Sequence, residues 1–154
     1  MSVSTEFAGF VFYGTSCEPL FVTQANQSNA SQWKTSIGAN DIATDSWVDG
    51  RSNQSQVGAG AAYIADPNTS PAFKLCEELT YGGFGDWYLP AVRELQVLQA
   101  SAVAIGNFLT ADYWSSLELG PSDLDSAMQV DFTDGEPANK VKTNSQDVRC
   151  VRRN

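Results

Sequence analysis

The stretch GGFGDWYLPAVRELQVL, Gly82 to Leu98, changes character halfway. Its first half is small and aromatic, and its second half has a helical period. Gly82, Gly83 and Gly85 suit turns that other residues resist. Trp87 and Leu89 can each bury apolar area worth about 2 kcal/mol. Asp86 can accept backbone N–H bonds from the turn or from the next helix. Pro90 predicts a helix that begins there, because a missing N–H costs nothing in the first turn. Val92, Leu95 and Leu98 give that helix one apolar face. The stretch therefore reads as a core corner with Trp87 inside. A sugar-stacking Trp87 is the rival reading.

Working outward, Ser70-Pro71 opens an earlier helix. Phe73, Leu75, Cys76 and Leu79 recur in it at helical spacing, and Tyr81-Gly82-Gly83 ends it. Gly9 to Gly14 and Leu20 to Val22 are β-prone runs that predict an opening hairpin. From Gln24 to Gly60 the chain is rich in Asn, Ser, Gln, Gly and Thr. Trp33 and Trp47 are isolated in it, which predicts long ordered loops pinned by two indoles. Downstream, Tyr113-Trp114-Ser115-Ser116 reads as a strand whose aromatics pack and whose serines bond nearby backbone. Ala127 to Phe132 alternates, and Thr133-Asp134-Gly135 turns it. Lys140 to Lys142 and Asp147 to Arg152 are further alternating strands. Two helices among short twisted strands predict an α+β fold.

Composition narrows the chemistry. The chain has 154 residues, 9 basic and 18 acidic side chains and a formal charge of -9. Nucleic acid needs clustered cations, so it is not an expected partner. Lys140, Lys142, Arg149, Arg152 and Arg153 crowd the last fifteen residues; they are expected to pair with acids elsewhere in the fold. There is no histidine, which removes the usual general base and the commonest transition-metal ligand. The carboxylate pairs Glu77-Glu78, Asp123/Asp125 and Asp131/Asp134 read as solvated rather than as a glycosidase dyad. No apolar run is long enough to span a bilayer. MSVSTEFAGF lacks the basic and apolar regions of a secretory signal.

Taken in order, Gly85-Asp86-Trp87-Tyr88-Leu89-Pro90, Arg93-Glu94-Leu95, Tyr113-Trp114-Ser115-Ser116 and Val148-Arg149-Cys150-Val151-Arg152 resemble a known bacterial and phage domain family. It is typified by the C-terminal domain of the Legionella collagen-like adhesin. Gln32-Trp33 and Ala72-Phe73-Lys74-Leu75-Cys76 also fit, and the likeness runs from about Gly9 to Arg152. One departure is Ala127-Met128, where family members often carry Ala-Trp.

The resemblance implies a C-type-lectin-like fold related to formylglycine-generating enzyme and to phage tropism determinants. It implies one domain over 9–154 behind an N-terminal arm, 1–8. It makes Asp86, Trp87, Leu89, Pro90 and Trp114 structural. It matches Cys76 and Cys150 to a disulfide that ties a helix to the last strand, a bond reducing conditions would keep open. Cys17 is left over as a buried apolar thiol. A copper-dependent oxidase of this fold needs two closely placed active-site cysteines, and the structural pair leaves none. The implied function is therefore non-enzymatic adhesion or receptor binding, without a required cofactor. Its setting is a virion or an extracellular surface, and its partners are a cell-surface glycan or protein receptor, other virion proteins met through the N-terminus, and further copies of the chain. Asp134, Glu136, Asn139, Lys140, Lys142, Thr143 and Asn144 form the expected ligand-binding set, because short polar side chains on loops suit saccharide hydroxyls. Calcium held by Asp123, Asp125, Asp131, Asp134 and Glu136 is the alternative. However, Glu136-Pro137-Ala138-Asn139 misses the Glu-Pro-Asn lectin motif by one residue, and no Trp-Asn-Asp occurs.

Overall fold

The computed structural model describes residues 5–38 and 42–154. It is an α+β fold with two sheets. Strands β1 (Glu6–Tyr13) and β2 (Ser16–Val22) form the expected hairpin, and β8 (Val151–Arg153) pairs with β2. The second sheet contains β3 (Ser28–Gln32), β4 (Asp112–Glu118), β5 (Ser126–Asp131), β6 (Pro137–Val141) and β7 (Ser145–Val148), in the order β3-β7-β4-β5-β6. Helices α3 (Pro71–Glu77) and α4 (Val92–Ala100) are the two read from the sequence, and α5 (Ala102–Ile105) follows α4.

The central strands of the five-stranded sheet, β4 and β5, are buried on both faces. Period-two alternation sends Tyr113, Leu117, Met128 and Val130 to a core shared with Leu20, Leu95, Leu98 and Val151. It sends Trp114, Ala127 and Val148 to a second core with Trp33, Phe73, Trp87 and Leu89. Trp87 and Trp114 are 3% and 0% exposed, so neither indole can stack on a sugar.

The Gly82–Leu98 stretch lies between the two cores. Tyr81 and Phe84 exchange backbone hydrogen bonds across Gly82 and Gly83, whose φ values of 62° and 82° are easy only for glycine. Trp87 Nε1 donates to Phe84 O at 3.1 Å. Tyr88 exchanges backbone bonds with Val151, and Pro90 O accepts from Ser116 N, so the corner is bonded to both sheets. The Cys76–Cys150 disulfide spans 74 positions of sequence, with its Cα atoms 5.5 Å apart.

Several expectations change. Asp86 does not cap the turn or the helix; it takes Arg152 in two bonds, of 2.7 and 3.0 Å. Pro90 is not in the first turn of α4, because the N-cap is Ala91. Glu94 fixes that start by accepting from Ala91 N at 2.9 Å. The Gln24–Gly60 region is not all loop: it contains β3 and α1 (Gly50–Ala59), and α2 (Ala61–Ala65) follows. Asp49 caps α1 by accepting from Ser52 N. Trp33 is buried and donates to Ser115 O, but Trp47 is 46% exposed and pins nothing by burial. The Asp147–Arg152 run is two strands, broken at Arg149-Cys150 where the chain crosses between sheets. Cys17 is exposed, because alternation along β2 puts it opposite the inward Leu20 and Val22. Met1 to Ser4 of the expected arm lie outside the described residues, while Glu6, Phe7 and Ala8 belong to β1.

Candidate functional site

The expected ligand set is strung along β6, the last strand of its sheet. Asp134 and Glu136 are exposed in the β5–β6 turn, where Asp134 accepts from Glu136 N. Asn139 is exposed opposite Met128, and half-buried Lys140 is opposite Ala127. Thr143 and Asn144 occupy the turn after β6, where Thr143 O accepts from Gln32 Nε2 at 2.8 Å. The two turns are thus about 13 Å apart, the rise of β6. The geometry produces a rail along the sheet edge, polar at its two turns and at Asn139 and Lys140 with Ala138 and Val141 between, not a pocket.

The acidic residues do not converge. Asp123 accepts from Asp125 N, Asp125 from Gly38 N, and Asp131 from Thr133 N. Asp123 and Asp131 serve their own loops, and Asp125 ties its loop to the one at Gly38. Among the described residues no group of three or more Asp, Glu, Cys or His is placed to hold a metal ion. The calcium set is therefore not assembled. The other carboxylate pair is also engaged locally: Glu77 accepts from the Tyr63 hydroxyl, and Glu78 lies 3.7 Å from Lys74.

Lys142 leaves the expected set. Its side chain is 1% exposed, and its ammonium donates to Glu118 and, at 2.6 Å, to Leu124 O. It also lies 4.9 Å from the centre of the Trp33 ring. Glu118 accepts from Ile42 N at 2.8 Å. The rest of the basic tail also turns inward. Arg153 meets Asp49 at 3.0 Å, and Arg149 donates to Thr23 O at 2.9 and 2.7 Å. Lys140 alone of the five stays half-exposed.

A second feature is a cleft that no sequence motif announces. Lys142 O accepts from both Trp33 N and Lys34 N, which draws Lys34 under α1 and α2. There a cleft of about 420 Å³ is lined by Lys34, Ile42, Val57, Tyr63, Thr69 and Ser70, among others. Lys34 is 6% exposed. Its ammonium proton is held less tightly than in water, first because of burial and then because of Lys142, with Glu118 opposing. Nothing in the linear pattern marks it, since its lining residues belong to separate short segments between Lys34 and Ser70.

Glu94 is a third concentration of polar groups, wholly buried. It accepts from the Tyr13 and Tyr88 hydroxyls at 2.7 and 2.5 Å, and from Gly50 N and Ala91 N at 2.8 and 2.9 Å. Burial pushes its carboxyl above the usual range, against these four bonds. Its donors come from β1, α1 and the corner before α4, so it is a junction of the scaffold.

Residues 22–152 match the family model described as the Lcl C-terminal domain. The match begins at the end of β2 and takes in every later element but the last residue of β8. No curated protein matches the chain.

Proposed function

Because the chain belongs to the Lcl C-terminal domain family, an adhesin-like surface module, we propose that it is the non-enzymatic receptor-binding protein of a phage virion and recognises a host-surface glycan. The observation that carries this reading is the open edge at β6. Asn139 projects from the strand, and Asp134, Glu136, Thr143 and Asn144 flank it. A linear saccharide laid along that rail would meet side-chain donors and acceptors at both ends. The support beneath is stiff: β4 and β5 are packed on both faces, and the disulfide joins α3 to the segment before β8. That tie also supports assigning the scaffold to the C-type-lectin-like class. Binding to a glycan array and to whole host cells is the test. It should fall on Asn139→Ala or Asn144→Ala, and silence on both arrays and cells refutes the reading.

A second reading, a structural virion component that docks through its N-terminal part, is favoured by β1. Phe7, Phe10 and Phe12 are 51%, 60% and 68% exposed there, on a strand at the sheet edge. Apolar side chains grouped on one edge mark contact surfaces. Phe10→Ser with Phe12→Ser should abolish copurification with virions while leaving glycan binding intact. Unchanged incorporation removes this reading.

A further inference from the structure

Lys34 brings to the cleft under α1 and α2 an ammonium that no described residue pairs. Lys34 lines the cleft, and its backbone N–H donates to Lys142 O, so the Lys142–Glu118 pair is its neighbour. Glu118 is taken by Lys142 in a contact closed to water on both sides. No hydrogen bond or ion pair reaches the Lys34 ammonium among the described residues; the residue is 6% exposed, and the ammonium keeps its contact with solvent at the cleft. An ammonium that is largely dehydrated and has no protein partner favours an anion brought to it. Among the described residues the local excess is one positive charge.

The walls specify the rest. Ile42, Val57 and Tyr63 present apolar surface, and the Tyr63 hydroxyl is already committed to Glu77. Ser70, also in the lining, makes no side-chain hydrogen bond at the N-cap of α3, so its hydroxyl is a second donor. A cation, a hydroxyl and an apolar wall around about 420 Å³ describe a receptacle for a small amphipathic anion.

We propose that this cleft binds a small organic carboxylate, its anionic head on Lys34 and Ser70 and its apolar arm against Ile42, Val57 and Tyr63. The site stands independently of glycan binding along β6. The carboxylate could be free or could belong to an acidic sugar, and the chemistry at Lys34 is the same for both.

Methyl and amide NMR titration of the whole chain tests the proposal with four probes: butyrate, its neutral isostere butyramide, N-acetylneuraminate and the methyl ester of N-acetylneuraminate. Saturable shifts centred on the Ile42 and Val57 methyls are expected with at least one carboxylate. Butyrate marks a free-acid site, and N-acetylneuraminate alone marks an acidic-sugar site. The neutral counterpart should bind about tenfold more weakly or worse, the effect of losing one charge-assisted hydrogen bond. Lys34→Met should lower carboxylate affinity by a similar factor, and Lys34→Arg should retain most of it. The butyrate–butyramide comparison needs no variant, so it stands even if Lys34→Met fails to fold. Absence of saturable shifts with both carboxylates overturns the proposal. So does equal binding of acid and neutral isostere, or unchanged affinity in a folded Lys34→Met.

Discussion

Replacing Lys142 by methionine removes one ammonium and little volume, so it separates a structural lysine from a ligand-binding one. In the wild type both side chains of the pair are essentially closed to water, at 1% and 0% exposure. Without the ammonium, Glu118 keeps one backbone donor, Ile42 N, and Leu124 O loses its partner. Breaking a buried pair from one side costs about 3–5 kcal/mol. Lys34 remains nearby as a weak substitute, which places the cost near the lower end, about 3 kcal/mol. With a urea slope of about 2 kcal/mol/M for a chain of this size, the unfolding midpoint should fall by about 1.5 M. Lys142→Met with Glu118→Gln should recover most of that loss, since the amide oxygen still serves Ile42 N and no buried charge is stranded. Urea unfolding followed by tryptophan fluorescence measures both. A single variant within about 0.5 kcal/mol of wild type, or a double variant no more stable than the single, would show that Lys142 is not held as described.

The disulfide closes a loop of 74 positions, so reduction or Cys76→Ser with Cys150→Ser should lower stability by about 3–4 kcal/mol; equal midpoints with and without reductant would contradict this. Asp86→Asn should cost at most about 1 kcal/mol at pH 7, because the carboxylate is half-exposed. Arg152 holds the Asp86 carboxyl below its usual range. The contribution is therefore present above about pH 4, the unfolded value, and lost as pH falls through the folded one; melts at pH 7 and pH 2 should show the gap close, and a constant gap rejects the pairing. Gly50→Ala would set a Cβ 2.6 Å from both Glu94 Oε1 and Leu89 O, costing about 3 kcal/mol through overpacking and lost bonds at Glu94; a wild-type melting temperature would show that the junction gives way easily.

What the sequence revealed and what it hid have separate physical causes. The β1–β2 hairpin, β4, β5 and the apolar face of α4 were legible because burial alternates with period two or recurs with helical spacing, and both leave marks in a linear string. Helix α1 left none. Its residues GRSNQSQVGA contain one buried large apolar side chain, Val57. The helix is held by polar links, Asp49 to Ser52 N and Asn53 to Ser46 O and to Ser116. Asn53 looks like any loop asparagine until β4 is beside it. The Cys76–Cys150 pairing came from the resemblance, since spacing alone could not have chosen among three cysteines. Lys142 looked like a loop cation because nothing local marks its burial. Its partner Glu118 is 24 positions away and reaches it only through the β5–β6 register. Lys34 was invisible for the same reason, at greater sequence distance.

The inward turn of the cations also constrains ligands. Five of the nine, Lys34, Lys142, Arg149, Arg152 and Arg153, are buried, whereas among the described acids only Glu94, Glu118 and Asp147 are. The outer surface is therefore more acidic than the net charge of -9 suggests. A polyanion approaching it meets net repulsion, with only Arg51, Lys74, Arg93 and Lys140 outside the buried cations. A single carboxylate differs. Beyond about 8 Å at physiological salt the acidic surface is largely screened. Inside the cleft the attraction of Lys34 acts through a less polarisable medium and is stronger for it. A neutral saccharide along β6 is indifferent to either field. The same charge arrangement thus favours neutral or singly charged ligands at both places, and it follows from where the basic tail is buried rather than from how many acids the chain contains.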